Sequence, residues 1–228
     1  MNYYLIIGIT FFISVIVSLI LKYKIKLYSK YHLRIPMNGK EIAEKMLIDN
    51  GIYDVQVSSI EGELTDHYNP LNKIINLSED VYYENNIASA AIAAHECGHV
   101  LQHKLGYNIL KLRNQLVPIL NFSSKITNFV IMSGLTVFYS SNGQNSIILK
   151  LGIGLFFLAV FFSFITLPIE FDASKRALNW LKEKNIVSYQ EYFYAKDSLK
   201  WAAMTYVISS LGSLAQLIYF LSFFRKEN

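Results

Sequence analysis

Residues 86–105 read Asn-Ile-Ala-Ser-Ala-Ala-Ile-Ala-Ala-His-Glu-Cys-Gly-His-Val-Leu-Gln-His-Lys-Leu, and five of these twenty residues are alanine. Alanine is the strongest helix former and proline is absent, so this stretch is predicted to be a helix. His95 and His99 are four residues apart, about one helical turn, and therefore lie on the same face. Two imidazoles on one face can bind a single metal ion. Gly98 and the small residues before it would let another element pack closely against this helix.

Glu96 completes the segment His95-Glu96-Cys97-Gly98-His99, which matches the H-E-x-x-H pattern of zinc hydrolases. Glu96 lies about 100° around the helix from His95, where its carboxylate can act as a base on a metal-bound water. Cys97 lies about 200° from His95 and is predicted to be a small buried side chain rather than a ligand. The alternative interpretation is a helix whose two histidines are packed or solvated without a metal.

The composition is typical of a membrane protein. Of the 228 residues, 53% are hydrophobic and only 17% are charged, which is unlike an ordinary soluble domain. The net charge of +4 is small and dispersed, so no nucleic-acid partner is expected. Cys97 is the only cysteine, and the chain therefore cannot form an internal disulfide.

Four stretches are apolar enough to be predicted as transmembrane helices. Residues 1–21 carry no charge and lack the basic start and cleavage site of a signal peptide, so an uncleaved membrane helix is predicted. Residues 114–167 are predicted to contain two more membrane helices, joined by the polar turn 140–146. Residues 201–228 are predicted to form a fourth membrane helix and a short tail.

Two polar regions lie between these stretches. Residues 22–113 are the predicted catalytic region and contain the motif helix. Its apolar spacing and turn residues predict a helix at 38–48, a strand at 55–57, a β-hairpin of strands 64–68 and 74–78, and a helix start at Ser78. Residues 168–200 are predicted to form two amphipathic helices, the first starting after a break at Pro168.

A catalytic zinc ion takes three protein ligands and keeps a fourth position for water. The candidates for the third ligand are His67, His103, Glu170 and Asp172. His103 lies about 80° around the helix from His95 and so does not share its face. Asp172 lies about 200° around from Glu170, so both cannot easily face one ion. We favour Glu170, whose alternative role is that of an acidic residue stabilised near a helix N-terminus.

Four segments carry a resemblance that covers nearly the whole chain. They are 64–70 (Leu-Thr-Asp-His-Tyr-Asn-Pro), 93–99 (Ala-Ala-His-Glu-Cys-Gly-His), 116–118 (Leu-Val-Pro) and 167–174 (Leu-Pro-Ile-Glu-Phe-Asp-Ala-Ser). With these segments the chain resembles the bacterial membrane proteins called "putative neutral zinc metallopeptidases", distant relatives of HtpX and the CAAX prenyl proteases.

The resemblance implies one Zn²⁺ ion bound by His95, His99 and Glu170, with Glu96 as the catalytic base. The HtpX-like relatives carry an aspartate four residues after the ligand glutamate, where this chain has Ser174. The outer contact to a ligand histidine would then fall to His103 or Asp172. By the same resemblance, the strand 64–68 would bind substrate peptides as an added strand. His67 and Tyr68 would either polarise the scissile carbonyl or form an exposed hairpin tip.

The predicted fold is therefore a mainly α integral membrane protein, with about four transmembrane helices and a small zincin-like α+β catalytic region. The predicted function is that of a membrane-embedded zinc metallopeptidase, with peptides or proteins, including membrane proteins, as substrates and the lipid bilayer as its surroundings. The segments 22–117 and 168–200 together carry seventeen lysines and arginines, and the turn 140–146 carries none. The positive-inside rule then predicts a multi-pass protein of the cell membrane with a cytoplasmic catalytic region.

Two other functions fit parts of the sequence. A site-2-type intramembrane protease also uses H-E-x-x-H, but within a membrane helix, and here Glu84, Gln102 and Lys104 flank an apolar stretch too short to span a bilayer. A non-enzymatic, zinc-stabilised membrane scaffold needs four protein ligands and has no use for Glu96.

Overall fold

The computed structural model describes residues 3–225, so residues 1–2 and the end of the predicted tail, 226–228, lie outside the described residues. The helices and strands follow one another in this order: α1 Tyr3–Tyr28, α2 Gly39–Asp49, β1 Gln56–Ile60, β2 His67–Asn69, β3 Ile74–Ser78, α3 Glu79–Tyr83, α4 Ile87–Lys104, α5 Asn108–Ser140, α6 Ile147–Glu183 and α7 Tyr189–Arg225.

The chain divides into two compact units. The first unit contains residues up to 15, 111–167 and those from 206 onward, and the second contains 16–110 and 168–205. The core of the first unit is formed by long apolar side chains, among them Ile131, Leu149 and Phe220. The core of the second unit is formed by small residues of α4 and larger side chains around them, including Ile42, Leu77 and Leu181.

Three helices of the described chain, α1, α6 and α7, are long and apolar enough to cross a membrane. Helix α5 contains the predicted second span but does not reach the same apolarity, because Asn121, Ser123, Ser124 and Lys125 interrupt its apolar residues. The mainly helical membrane fold with a small sheet is therefore confirmed, whereas the predicted number of about four spans is one too high by length and composition.

Helix α6 runs without a break through Pro168, and the predicted interruption there is wrong. Proline inside a helix removes one backbone hydrogen bond and costs about 3 kcal/mol, which tertiary packing can offset. Here the residues around the proline are buried, Ile169 completely and Thr166 to 4% exposure. Glu170 consequently lies in the middle of a long helix rather than at the start of a short one. Helix α7 is also continuous where two helices had been predicted.

The sheet has the strand order β1-β3-β2, with β1 parallel and β2 antiparallel to β3. Strands β2 and β3 form the predicted hairpin, and His67 pairs with Asn76 across it. Strand β2 is shorter than the predicted 64–68, since Leu64 has φ of 59° and lies in the left-handed region. Because β2 is at the edge of the sheet, one of its sides is unpaired within the described chain.

Side-chain caps explain where two helices of the second unit, α2 and α4, begin. Asn38 caps α2 in a capping box with Glu41, so the predicted helix at 38–48 is confirmed. Asn86 caps α4 by accepting a hydrogen bond from the Ser89 backbone N–H at 2.9 Å. Helix α3 starts directly after Ser78, as predicted.

The close approach of α4 and α6 depends on Gly98. A Cβ atom at this position would lie 2.5 Å from the backbone oxygen of Ala173 and 3.0 Å from its Cα atom. Both contacts are with main-chain atoms of α6, which cannot move aside as a flexible side chain would. The predicted role of Gly98 in close packing is therefore confirmed.

We predict that Gly98→Ala destabilises the protein although alanine is the better helix former. The added methyl group forces α4 and α6 apart and should lower the thermal unfolding temperature in detergent by several degrees. Gly154→Ala is the matched control, because nothing lies within 4 Å of a Cβ at that helical glycine. An unfolding temperature as high in Gly98→Ala as in Gly154→Ala would contradict the packing argument.

Candidate metal centre

The side chains of His95, His99 and Glu170 converge on one point in the second unit. Helix α4 supplies both histidines and the buried part of α6 supplies the glutamate. Glu170 Oε2 lies 3.3 Å from His95 Nε2 and 3.7 Å from His99 Nε2. The two imidazole planes are inclined by 84°, and the three candidate ligand atoms lie within 4.8 Å of one another.

These separations fit a zinc ion. Zinc binds imidazole nitrogen and carboxylate oxygen at about 2.0–2.2 Å, and tetrahedral angles then put neighbouring ligand atoms about 3.3–3.5 Å apart. The distances of 3.3 and 3.7 Å to Glu170 are close to that value. Within residues 3–225 no fourth histidine, cysteine or carboxylate joins the group, so a water molecule could complete the coordination.

Ser174 orients the first histidine. Its Oγ lies 3.1 Å from His95 Nδ1, so the opposite ring nitrogen, Nε2, faces Glu170. Ser174 is one helical turn beyond Glu170 and makes this contact itself. The expectation that His103 or Asp172 would replace the aspartate of the relatives in contacting a ligand histidine directly is therefore wrong.

Gln102 orients the second histidine. Its amide nitrogen donates hydrogen bonds to the Ile169 carbonyl at 2.8 Å and to Asp172 Oδ2 at 2.9 Å. The amide oxygen must then face His99 Nδ1, 3.1 Å away, and accept its proton. This hydrogen bond leaves the lone pair of His99 Nε2 free for a metal. Gln102 is completely buried, so its amide is held in this orientation.

Asp172 therefore influences the candidate ligand His99 indirectly, through Gln102. Its Oδ2 accepts hydrogen bonds from Gln102 and, at 2.6 Å, from Nε of Arg176. The ion pair fixes the carboxylate, the carboxylate fixes the glutamine amide, and the amide fixes His99.

Glu96 is the remaining member of the motif and is only 6% exposed. Within the described chain its carboxylate has no hydrogen bond or salt bridge. Such a group is available to accept a proton from a water molecule beside the histidines. Its charge also acts on His99: burial opposes protonation of that imidazole, but Glu170 and Glu96 outweigh burial and raise the pKa of His99. The same negative charges would attract a metal cation.

A second carboxylate, Asp66, is within electrostatic range of Glu96. Burial raises the pKa of Asp66, and the charge of Glu96 adds to the effect. The Ser78 backbone N–H and hydroxyl oppose this shift by donating to the Asp66 carboxylate at 2.7 and 3.1 Å. Asp66 precedes the edge strand β2, so these hydrogen bonds fix the start of that strand beside the motif helix.

A cavity of about 460 Å³ lies along the same helix. Ala88, Ser89 and Ile92 of α4 form one wall, ending one turn before His95 and Glu96. Leu64 and Ser78 from the hairpin region also line it. The cavity is thus bounded both by the motif helix and by the segments that flank β2.

The other candidate residues from the sequence do not join the ligand group. His103 Nδ1 lies 3.0 Å from the Tyr68 hydroxyl, and His67 is exposed with its Nε2 3.1 Å from Asn76. Cys97 is completely buried and its thiol donates to the Ala43 carbonyl at 3.5 Å. Burial raises the pKa of Cys97, so the thiol stays protonated, in keeping with its predicted packing role.

Two residues that interact with members of the candidate site, Gln102 and Asp66, were not foreseen from the sequence. Gln102 follows His95 by seven residues and His99 by three, which is the spacing of one helical face and could have indicated its role. Asp66 lies in the segment 64–70 that carries the resemblance, but its electrostatic interaction with Glu96 depends on the path of the chain between β1 and β2.

The chain is similar in sequence to known proteins. The family model described as "Putative neutral zinc metallopeptidase" matches residues 3–225. A curated protein of Bacillus subtilis (strain 168), named "Putative membrane protease YugP", is 40% identical over 204 residues, covering 88% of each chain. No solved structure gives a significant match. The chain belongs to the putative neutral zinc metallopeptidase family.

Proposed function

We propose that this protein is a membrane zinc peptidase in which Glu96 activates a water molecule for attack on a peptide bond. The observation that carries the proposal is the convergence of His95, His99 and Glu170 beside the buried, unpartnered carboxylate of Glu96. When bound, zinc would lower the pKa of a water ligand towards neutrality and polarise the scissile carbonyl.

The residues of the chain have separate roles in this reaction. Glu96 accepts the proton of the attacking water and passes it to the leaving amine. His95 and His99 would hold the zinc ion through Nε2, because Ser174 and Gln102 engage their Nδ1 atoms. Glu170 supplies the third ligand atom and contributes a negative charge to the site.

A substrate peptide would bind in extended form along β2. The free side of this edge strand can form main-chain hydrogen bonds with an added strand, a common mode of peptide recognition. The neighbouring cavity of about 460 Å³ has room for substrate side chains next to the motif helix. This mode selects for a backbone in extended conformation and fits peptide or unfolded protein segments as substrates.

The two alternative functions are less compatible with the site. Helix α4 has 18 residues, and it is not among the helices of the described chain that could cross a membrane, as a site-2-type protease would require. A scaffold would need a closed set of four ligands, whereas three converge within residues 3–225.

We predict that Glu96→Gln retains zinc but loses at least about a hundredfold in peptidase activity, because the amide cannot accept the proton. Casein or a fluorogenic peptide library would serve as substrate, and zinc content would be measured on the same samples. Glu79→Gln is the matched control, an acidic residue at the start of α3 that is outside the ligand group. Undiminished hydrolysis by Glu96→Gln would contradict the mechanism.

The catalytic region is proposed to be cytoplasmic, since the segments 22–117 and 168–200 carry seventeen of the 21 lysines and arginines of the chain. Cysteines introduced by Glu61→Cys and Gln144→Cys would report its side, because both positions are exposed and Cys97 is buried. In intact cells a membrane-impermeant maleimide should label position 144 and leave position 61 unlabelled until the cells are opened. Labelling at position 61 in intact cells would reverse the topology.

A further inference from the structure

Helices α6 and α7 form an apolar groove in the second unit, separate from the cavity of about 460 Å³ along α4. The groove has a volume of about 330 Å³, and its floor is formed by Phe171 and Leu178 of α6 and Leu199 and Ala203 of α7. Ser174, whose hydroxyl contacts His95, also lines it. The groove therefore shares one wall with the candidate metal centre.

Three lysines surround this apolar floor. Lys175, Lys196 and Lys200 line the groove, and all three are exposed. None of them forms a salt bridge within the described chain. The neighbouring carboxylates are already paired, Asp172 with Arg176 at 2.6 Å and Asp197 with Lys24 at 2.9 Å. The groove thus combines a rim of three lysines without salt bridges with an apolar interior.

The groove lies next in sequence to the apolar segments. Phe171 follows the apolar part of α6, which ends at Leu167, and Ala203 lies at the start of the apolar part of α7. Lysines at this point of a membrane helix lie at the level of the lipid headgroups. An occupant with an anionic head and an apolar chain would match both parts of the groove.

We propose that the groove binds an anionic phospholipid, with the phosphate among Lys175, Lys196 and Lys200 and part of an acyl chain on Phe171 and Leu199. A neutral lipid would leave the lysines without a counter-charge, and a free phosphate would leave the apolar floor uncovered. The binding does not depend on peptidase activity, so it can be tested apart from the proposed reaction.

The test uses the full chain in a neutral detergent, titrated with dioleoylphosphatidylglycerol, dioleoylphosphatidylcholine or soluble glycerol phosphate. Bound lipid is counted by native mass spectrometry and the unfolding temperature is recorded. Phosphatidylglycerol should bind with a defined stoichiometry and raise the unfolding temperature more than either other compound. A triple variant, Lys175→Gln, Lys196→Gln and Lys200→Gln, should bind it about tenfold more weakly or worse.

The control variant removes the same charge elsewhere, by Lys40→Gln, Lys45→Gln and Lys73→Gln, three lysines that already have carboxylate partners. Phosphatidylglycerol binding by this control should equal that of the unmodified chain. Equal loss in both triple variants would indicate general charge attraction and overturn the proposal. Equal stabilisation by phosphatidylcholine would show that the anionic headgroup is not required, and equal stabilisation by glycerol phosphate would show that the acyl chain is not required. Either result would overturn the assigned ligand.

Discussion

The candidate site depends on the contact of one carboxylate with two imidazoles. Glu170 Oε2 lies within 3.7 Å of Nε2 in both His95 and His99, although about seventy residues separate the glutamate from the second histidine. This contact requires α6 to lie directly against α4. Gly98 allows that approach, since its missing side chain leaves space for the backbone of Ala173. The three candidate ligands can therefore meet only if the backbones of α4 and α6 pack closely.

The parts that could be predicted from the sequence are those set by local rules. Alanine content and the cap at Asn86 define the motif helix, and helical spacing brings His95 and His99 together. The hairpin follows from alternating residues around Asn69, whose side chain accepts hydrogen bonds from the backbone of the turn. These features involve residues close in sequence, and this is why the sequence is informative about them.

The parts that could not be predicted depend on tertiary contacts. Pro168 would break an isolated helix, but burial of its neighbours keeps α6 continuous. The parallel pairing of β1 with β3 joins strands separated by β2, which no local pattern specifies. The chain of contacts from Arg176 through Asp172 and Gln102 to His99 crosses between two helices. Side-chain chemistry indicates the metal, whereas packing determines which groups hold its ligands in place.

The ligand set is tested most directly by X-ray absorption spectroscopy of the zinc-loaded full chain, with zinc content measured on the same sample. We expect one zinc ion per chain with two imidazole nitrogens and two oxygen ligands, one from Glu170 and one from water. In Glu170→Ala, zinc should be lost or held with a changed coordination shell. A sulfur ligand, a third imidazole, or an unchanged spectrum in Glu170→Ala would contradict the proposed site.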